Sequence, residues 1–279
     1  SRTHRKTRHH VTRDLLHNIS FHVALFFVLG SIAWIVNGFY VMWPDQMVGD
    51  DSKAVDVMNW SAFCGGMLFL IGASLAVVEA GNADHPLPPP RNGGIDVEGG
   101  HEVMSMGDAT QQQQQQQGKV NPTHNETTKP SDPPTTTRRY KLTWFPRPDP
   151  HSLGSLASLI QIFAATVFGI SVITGLLTLS HTARMLIFWT PQVIGGLGFI
   201  VTSLVYMKEV GFTAVWTLGW QVAVWNLVGA VGFMLCGVFG YWEDAAGGWG
   251  WRETASGVNN FYGGWAFLLG SVLQMWEVL

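Results

Sequence analysis

The sequence predicts an all-α membrane protein: six transmembrane helices arranged as three parallel two-helix hairpins, with a pseudo-threefold bundle as the simplest packing and a linear row of hairpins as its competitor. Three observations carry that expectation. Apolar residues are gathered into long runs, while charged residues make up only 13% of the chain, which is membrane-protein composition. A glycine-rich helical pattern occurs three times at matching spacing. Tryptophans stand at the ends of the apolar runs, where an apolar body with one polar N–H is at home in the membrane interface.

Residues 1–20 form a basic arm, with Arg2, Arg5, Lys6, Arg8 and Arg13 against Asp14 alone, and then the amphipathic piece Leu15-Leu16-His17-Asn18-Ile19. Two readings stand for it: a cytoplasmic arm on the membrane surface, or a plain basic tail. The apolar run that begins at Phe21 extends for about 23 residues, too long for the h-region of a cleavable signal and long enough to span. Runs 21–43, 60–79, 153–179, 185–206, 217–242 and 257–277 each supply the ~20 apolar residues that a ~30 Å hydrocarbon core requires. Trp43, Trp60, Trp189 and Trp242 mark one set of ends, and Trp144, Trp216, Trp220 and Trp276 the other. The expected division is therefore the arm 1–20, a hairpin 21–80, a polar insert 81–150, a hairpin 151–210 and a hairpin 211–279.

The insert holds a proline cluster, glycine pairs, seven consecutive Gln at 111–117 and a Thr/Pro/Ser tract. It cannot bury enough apolar surface to offset its ordering entropy, and disorder is expected. Within it, Pro86, Pro89 and Arg91 fit a P-x-x-P-x-R ligand for a polyproline-binding cytosolic protein, a pattern also common in disordered tracts generally. Basic residues near helix ends set topology. The arm and Arg138-Arg139-Tyr140-Lys141 place both termini and the insert in the cytoplasm; Arg184 argues the other way. The sequon Asn125-Glu126-Thr127 stays unmodified in that topology.

The repeated pattern runs from Gly65 to Glu79. A Gly-Gly pair opens each copy (Gly65-Gly66, Gly195-Gly196, Gly263-Gly264), a Phe follows the second Gly by three (Phe69, Phe199, Phe267), and a Glu closes it. The series Gly65/Gly72/Glu79, Gly195/Thr202/Glu209 and Gly263/Gly270/Glu277 step by seven residues, a spacing that drifts only about 20° per step on a helix. Each copy is thus a helix with a narrow stripe of small residues ending in a carboxylate, and such stripes let helices approach closely in lipid. The outer first helices also match: His22-Val23-Ala24 over Gln221-Val222-Ala223 brings Gly30 to Gly229, Gly38 to Gly237 and Trp43 to Trp242. The middle first helix matches only loosely, because Gly169 and Gly175 are not spaced like Gly30 and Gly38. Two spans per copy make the copies parallel, so Glu79, Glu209 and Glu277 share one face, and helices two, four and six are expected inside the bundle.

The pattern Asn59-Trp60, Gly65-Gly66, Phe69-Leu70-Ile71-Gly72 and Glu79, with its echo from Asn260 to Glu277, resembles the YrhK-type domain, a small two-helix membrane domain. It is also similar to fungal multi-pass membrane proteins that string such units together. The middle copy departs from it, with Thr202 for the second Gly and Lys208 before the Glu. The resemblance implies a hairpin architecture and supplies no catalytic residue.

The three glutamates are the candidate ion or proton path, since a carboxylate near membrane depth is costly unless paired, hydrated or protonated. The bland alternative is that each ends its helix at the interface. Polar residues within the spans, namely Asn37, Gln161, Thr166, Thr174, Gln192, Thr202, Asn226 and Gln274, are read mainly as interhelical hydrogen-bonding groups. Pro191 with Thr190 and Gln192 is either a local kink or a small site. The cysteines, Cys64 and Cys236, lie in apolar runs, so neither a disulfide nor a thiolate metal site is expected. No catalytic or cofactor motif stands in a suitable context, the net charge of −3 gives no reason to expect a nucleic-acid partner, and neither an enzyme nor a cofactor is expected. The expected function is a small channel or transporter-like bundle in the lipid bilayer; the alternative is a non-transporting scaffold that recruits partners through 81–150.

Overall fold

The computed structural model describes residues 18–47, 51–83, 148–241 and 250–279. Among these residues there is no strand. Six long helices carry the fold: α1 (Ile19–Met42), α2 (Asp51–Ala83), α3 (Leu153–Thr174), α4 (Thr190–Val210), α5 (Leu218–Gly240) and α6 (Trp251–Val278). A helical turn at Pro44–Met47 follows α1, and His181–Arg184 leads through a π-helical turn, Met185–Trp189, into α4.

The helix starts are written in side chains. The Asn18 carboxamide oxygen accepts from Ser20 N at 3.1 Å, the Ser152 hydroxyl from Ser155 N at 3.3 Å and the Thr217 hydroxyl from Trp220 N at 3.4 Å, each satisfying an orphan first-turn donor. Gly211, at φ +98°, ends α4 in a conformation that a side chain would strain. Several limits differ from expectation, and α2 already begins at Asp51 rather than 60. The third run stops at Thr174, because Gly175 caps it and the chain turns before His181, and the last helix begins at Trp251 rather than 257.

Five helical segments, Ile19–Met42, Lys53–Asn82, Leu153–Thr174, His181–Val210 and Leu218–Gly240, are long and apolar enough to cross a membrane. They give the chain the make-up of a multi-pass integral membrane protein. α6 has the length, at 28 residues, but Arg252, Glu253, Asn259, Asn260 and Gln274 hold it below the apolar level of the other five. Of the six expected spans, five are matched by helices that are long and apolar enough.

The six helices close a circle in chain order, each packed against its two neighbours, with α6 returning to α1. No other pair of long helices comes into backbone contact. The open row of hairpins is thereby overturned, and so is the placing of helices two, four and six inside the bundle. The glycine pairs explain the closure, since each glycine of a pair faces a different neighbour. A Cβ on Gly65 would lie 2.8 Å from the Trp34 ring, on Gly195 2.7 Å from Phe168 Cβ, and on Gly263 2.7 Å from the Phe233 ring. On the second glycines it would lie 2.7 Å from Val172 Cγ2 of α3 (Gly66), 2.7 Å from Met234 Cα of α5 (Gly196) and 3.3 Å from Ile35 N of α1 (Gly264). The remaining stripe positions behave alike: Gly72 seats the Phe27 ring and Gly270 seats the Asn226 carboxamide.

Close approach leaves a narrow interior that aromatic rings fill. Trp34, Phe168 and Phe233 meet with centroids 4.7 to 5.6 Å apart, and Phe267 lies 5.3 Å from Phe69 and 6.2 Å from Phe199. All six are buried, one from each helix. On one side of this plug a polar layer ties neighbouring helices together. Asn37 Nδ2 donates to Met58 O at 2.7 Å and Asn260 Nδ2 to Asn37 Oδ1 at 2.7 Å; Gln192 Nε2 donates to Cys236 Sγ at 3.1 Å and Ser256 Oγ to Cys236 O at 2.9 Å. On the other side the interior opens.

Candidate functional site

The opening is a cavity of about 390 Å³ at the end formed by the starts of α1, α3 and α5 and the ends of α2, α4 and α6. Glu79, Glu209 and Glu277 all line it, 130 and 198 positions apart in the chain. Glu79 is half-buried, whereas Glu209 and Glu277 stand exposed at the rim.

Each carboxylate sits beside the first turn of the helix that precedes its own. Ser20 Oγ donates a short hydrogen bond to Glu79 Oε1. A Cβ on Gly154 would lie 2.8 Å from Glu209 Oε1, and one on Gly219 would lie 4.0 Å from Glu277 Oε1. Ser20, Gly154 and Gly219 are each the second residue of α1, α3 and α5. Each carboxylate thus has the positive end of a neighbouring helix dipole beside it and the negative end of its own helix behind it, two fields of opposite sign worth about 0.3–1 kcal/mol each near a surface.

Below the rim the wall is uncharged and mixes apolar side chains, Val23, Ala76, Val222 and Ala223, with polar ones. Gln161, Thr202, Ser203, Tyr206, Asn226 and Gln274 line it. Tyr206 OH donates to Gln161 Oε1 at 3.5 Å, while the Thr202 and Ser203 hydroxyls donate to Gly198 O and Phe199 O of their own helix. Phe27 lines the wall at the level of Gln161 and Asn226, and at the bottom Phe69, Phe199 and Phe267, which belong to the aromatic plug, form the floor. Charge, amides and rings thus succeed one another from mouth to floor. Among the described residues no group of three or more His, Cys, Asp or Glu is placed to hold a metal ion.

The glycines singled out in the sequence, Gly65, Gly66, Gly72, Gly195, Gly196, Gly263, Gly264 and Gly270, are all buried at helix contacts. Asn37 and Gln192 bond between helices, as expected of polar residues within spans. Thr166 and Thr174 bond carbonyls of their own helix, with Thr174 reaching Ile187 O as well. Gln161, Thr202, Asn226 and Gln274 instead converge on the cavity, a grouping the sequence reading did not make. Pro191 follows the π-helical turn inside one continuous helical segment, His181–Val210; it lacks the N–H that would bond Ile187 O, and that carbonyl accepts from the Thr174 hydroxyl at 2.8 Å, while Thr190 bonds Met185 O and Tyr241 at the end remote from the cavity. Pro86, Pro89 and Arg91, residues 1–17 of the basic arm and the sequon lie outside the described residues.

Tyr206 and the register of α3 were not found from the sequence. The signal is there once the glutamates are aligned: Ala76, Tyr206 and Gln274 each precede a glutamate by three, and Phe27, Gln161 and Asn226 are 134 and 199 positions apart, as are Trp34, Phe168 and Phe233. Neither a protein-family model nor a curated protein nor a solved structure matches the chain.

Proposed function

We propose that the chain is a transporter-like membrane bundle of three parallel two-helix units around a pseudo-threefold axis, and that its acidic vestibule takes up cations from one face. In this reading α6 spans with the other five helices, sheltered by α1 and α5. Both termini and the 81–150 insert are cytoplasmic, and the vestibule opens to that side. The likeness of the outer hairpins to the YrhK-type domain belongs to the same proposal, as does the absence of enzymatic chemistry. The aromatic plug is the closed gate of the path.

One observation carries the reading: Glu79, Glu209 and Glu277 line a single cavity, each at the N-terminal turn of a neighbouring helix. A helix that merely ended in Glu at the interface has no need of such a cavity. Reconstituting the full chain in liposomes and following uptake of Na⁺, K⁺ and tetramethylammonium tests it. Saturable uptake of at least one cation, reduced tenfold or more when all three glutamates become Gln, is expected; a parent protein that neither binds nor moves any of them overturns it. A non-transporting scaffold is the second reading, favoured by the six rings that close the interior. It predicts cation binding without uptake.

A further inference from the structure

We infer that the vestibule's occupant is an organic ammonium ion carrying an apolar body, rather than a metal cation; this rests on the cation-vestibule reading above and names its ligand class. The cavity, at about 390 Å³, falls in the ~300–1,000 Å³ range of small-molecule pockets. Calcium and magnesium ions ask for something else: about six to eight oxygens converging at ~2.0–2.6 Å. The three carboxylates do not converge in that way, since no cluster of three among the described residues is placed to hold a metal ion. They surround a mouth.

The lining changes character with depth, and that gradient selects the ligand. A hydrated metal ion gains from the carboxylates but meets the apolar side chains of Val23, Phe27, Ala76 and Ala223, where its water shell finds no partner. An alkyl or aryl ammonium matches each level in turn. Its charge and its N–H or N–CH groups rest among the carboxylates, and its hydrocarbon displaces water from Val23, Phe27, Ala76 and Ala223, which line the cavity one to two turns below them. No proton or electron need move for this binding; the step is desolvation and charge pairing alone.

Calorimetry on the full chain in nanodiscs, at fixed ionic strength, separates the possibilities. The probes are benzyltrimethylammonium, tetramethylammonium, Na⁺, K⁺ and Ca²⁺. Benzyltrimethylammonium is expected to bind about tenfold or more tighter than tetramethylammonium, because burying one phenyl group is worth at least that factor. Replacing all three glutamates by Gln should weaken both ammonium ions. Asn226→Phe puts in α5 the residue that Phe27 already supplies in α1, so the helix contact is one the fold accommodates. It should erase the preference for the benzyl group while tetramethylammonium still binds. Metal ions that bind as tightly as the benzyl compound, or a benzyl group that adds nothing, would overturn the ligand class and leave the vestibule reading standing. If no cation binds, both fall.

Discussion

Gly196→Ala is the sharpest test of how the circle of helices closes, and Gly169→Ala is its internal control. Both glycines are buried in helix interiors, at Gly196 of α4 and Gly169 of α3. Both substitutions therefore gain the same helix propensity, about 1 kcal/mol from Gly to Ala. The surroundings differ. A Cβ at 196 would lie 2.7 Å from Met234 Cα and 2.9 Å from Met234 N, which are backbone atoms that can give only if α4 and α5 separate. At 169 the nearest atom is Met67 Cε at 3.6 Å, ordinary contact with the tip of a flexible side chain. Overpacking of the first kind costs about 1–3 kcal/mol. The propensity gain cancels in the comparison, so Gly169→Ala should exceed Gly196→Ala in stability by about 1–3 kcal/mol. Equilibrium unfolding in mixed micelles with increasing SDS fraction, followed by far-UV circular dichroism, reads the difference. Equal stabilities, or a more stable Gly196→Ala, would refute the close α4–α5 packing.

Other consequences follow from the same contacts. Phe233→Ala removes a fully buried ring that touches Trp34, Phe69, Phe168 and Phe267; unfolding in SDS micelles should show a loss of about 3–5 kcal/mol, and liposome uptake should become leaky if the plug is a gate. A double-mutant cycle on Asn37→Ala and Asn260→Ala should return a coupling of about 0.6–1.7 kcal/mol, the range of interhelical hydrogen bonds in membranes; zero coupling would sever the α1–α6 link. Expression in a glycosylating membrane system should leave Asn125 unmodified, and a glycan found there would turn the vestibule to the opposite face.

Much of the fold is legible in the sequence, and the limits have physical reasons. Length and apolarity announce the helices, and the Gly-Gly pairs announce close packing because little else explains adjacent glycines inside an apolar helix. Two neighbours can be packed only if both glycines of a pair face contacts, which points toward a closed circle; which helices those neighbours are is a matter of long-range geometry that no local period records. The register of α3 escapes a search for glycine because Ala164 stands where α1 has Gly30 and α5 has Gly229. A methyl group serves there, since the facing Gly198 gives up its own Cβ to Ala164. The aromatic series Trp34, Phe168 and Phe233 would have found it, but aromatics in apolar runs are too common to search by. The polar wall was hidden in the same way: Phe27 occupies in α1 the place of Gln161 and Asn226, so no polar repeat shows along the chain. The glutamates were legible as three residues on one face; that they share a cavity depends on the circle closing.

Convergence of the three carboxylates on one vestibule is best tested by cysteine chemistry in a Cys64→Ala, Cys236→Ser background. Glu79→Cys, Glu209→Cys and Glu277→Cys are made singly and in pairs, and thiol labelling by a bulky cationic methanethiosulfonate is measured from each face of sealed vesicles. A shared vestibule predicts that all three thiols react from the same face and that labelling one thiol of a pair suppresses labelling of the other. Reaction from opposite faces, or full and independent labelling of both thiols in every pair, would contradict it.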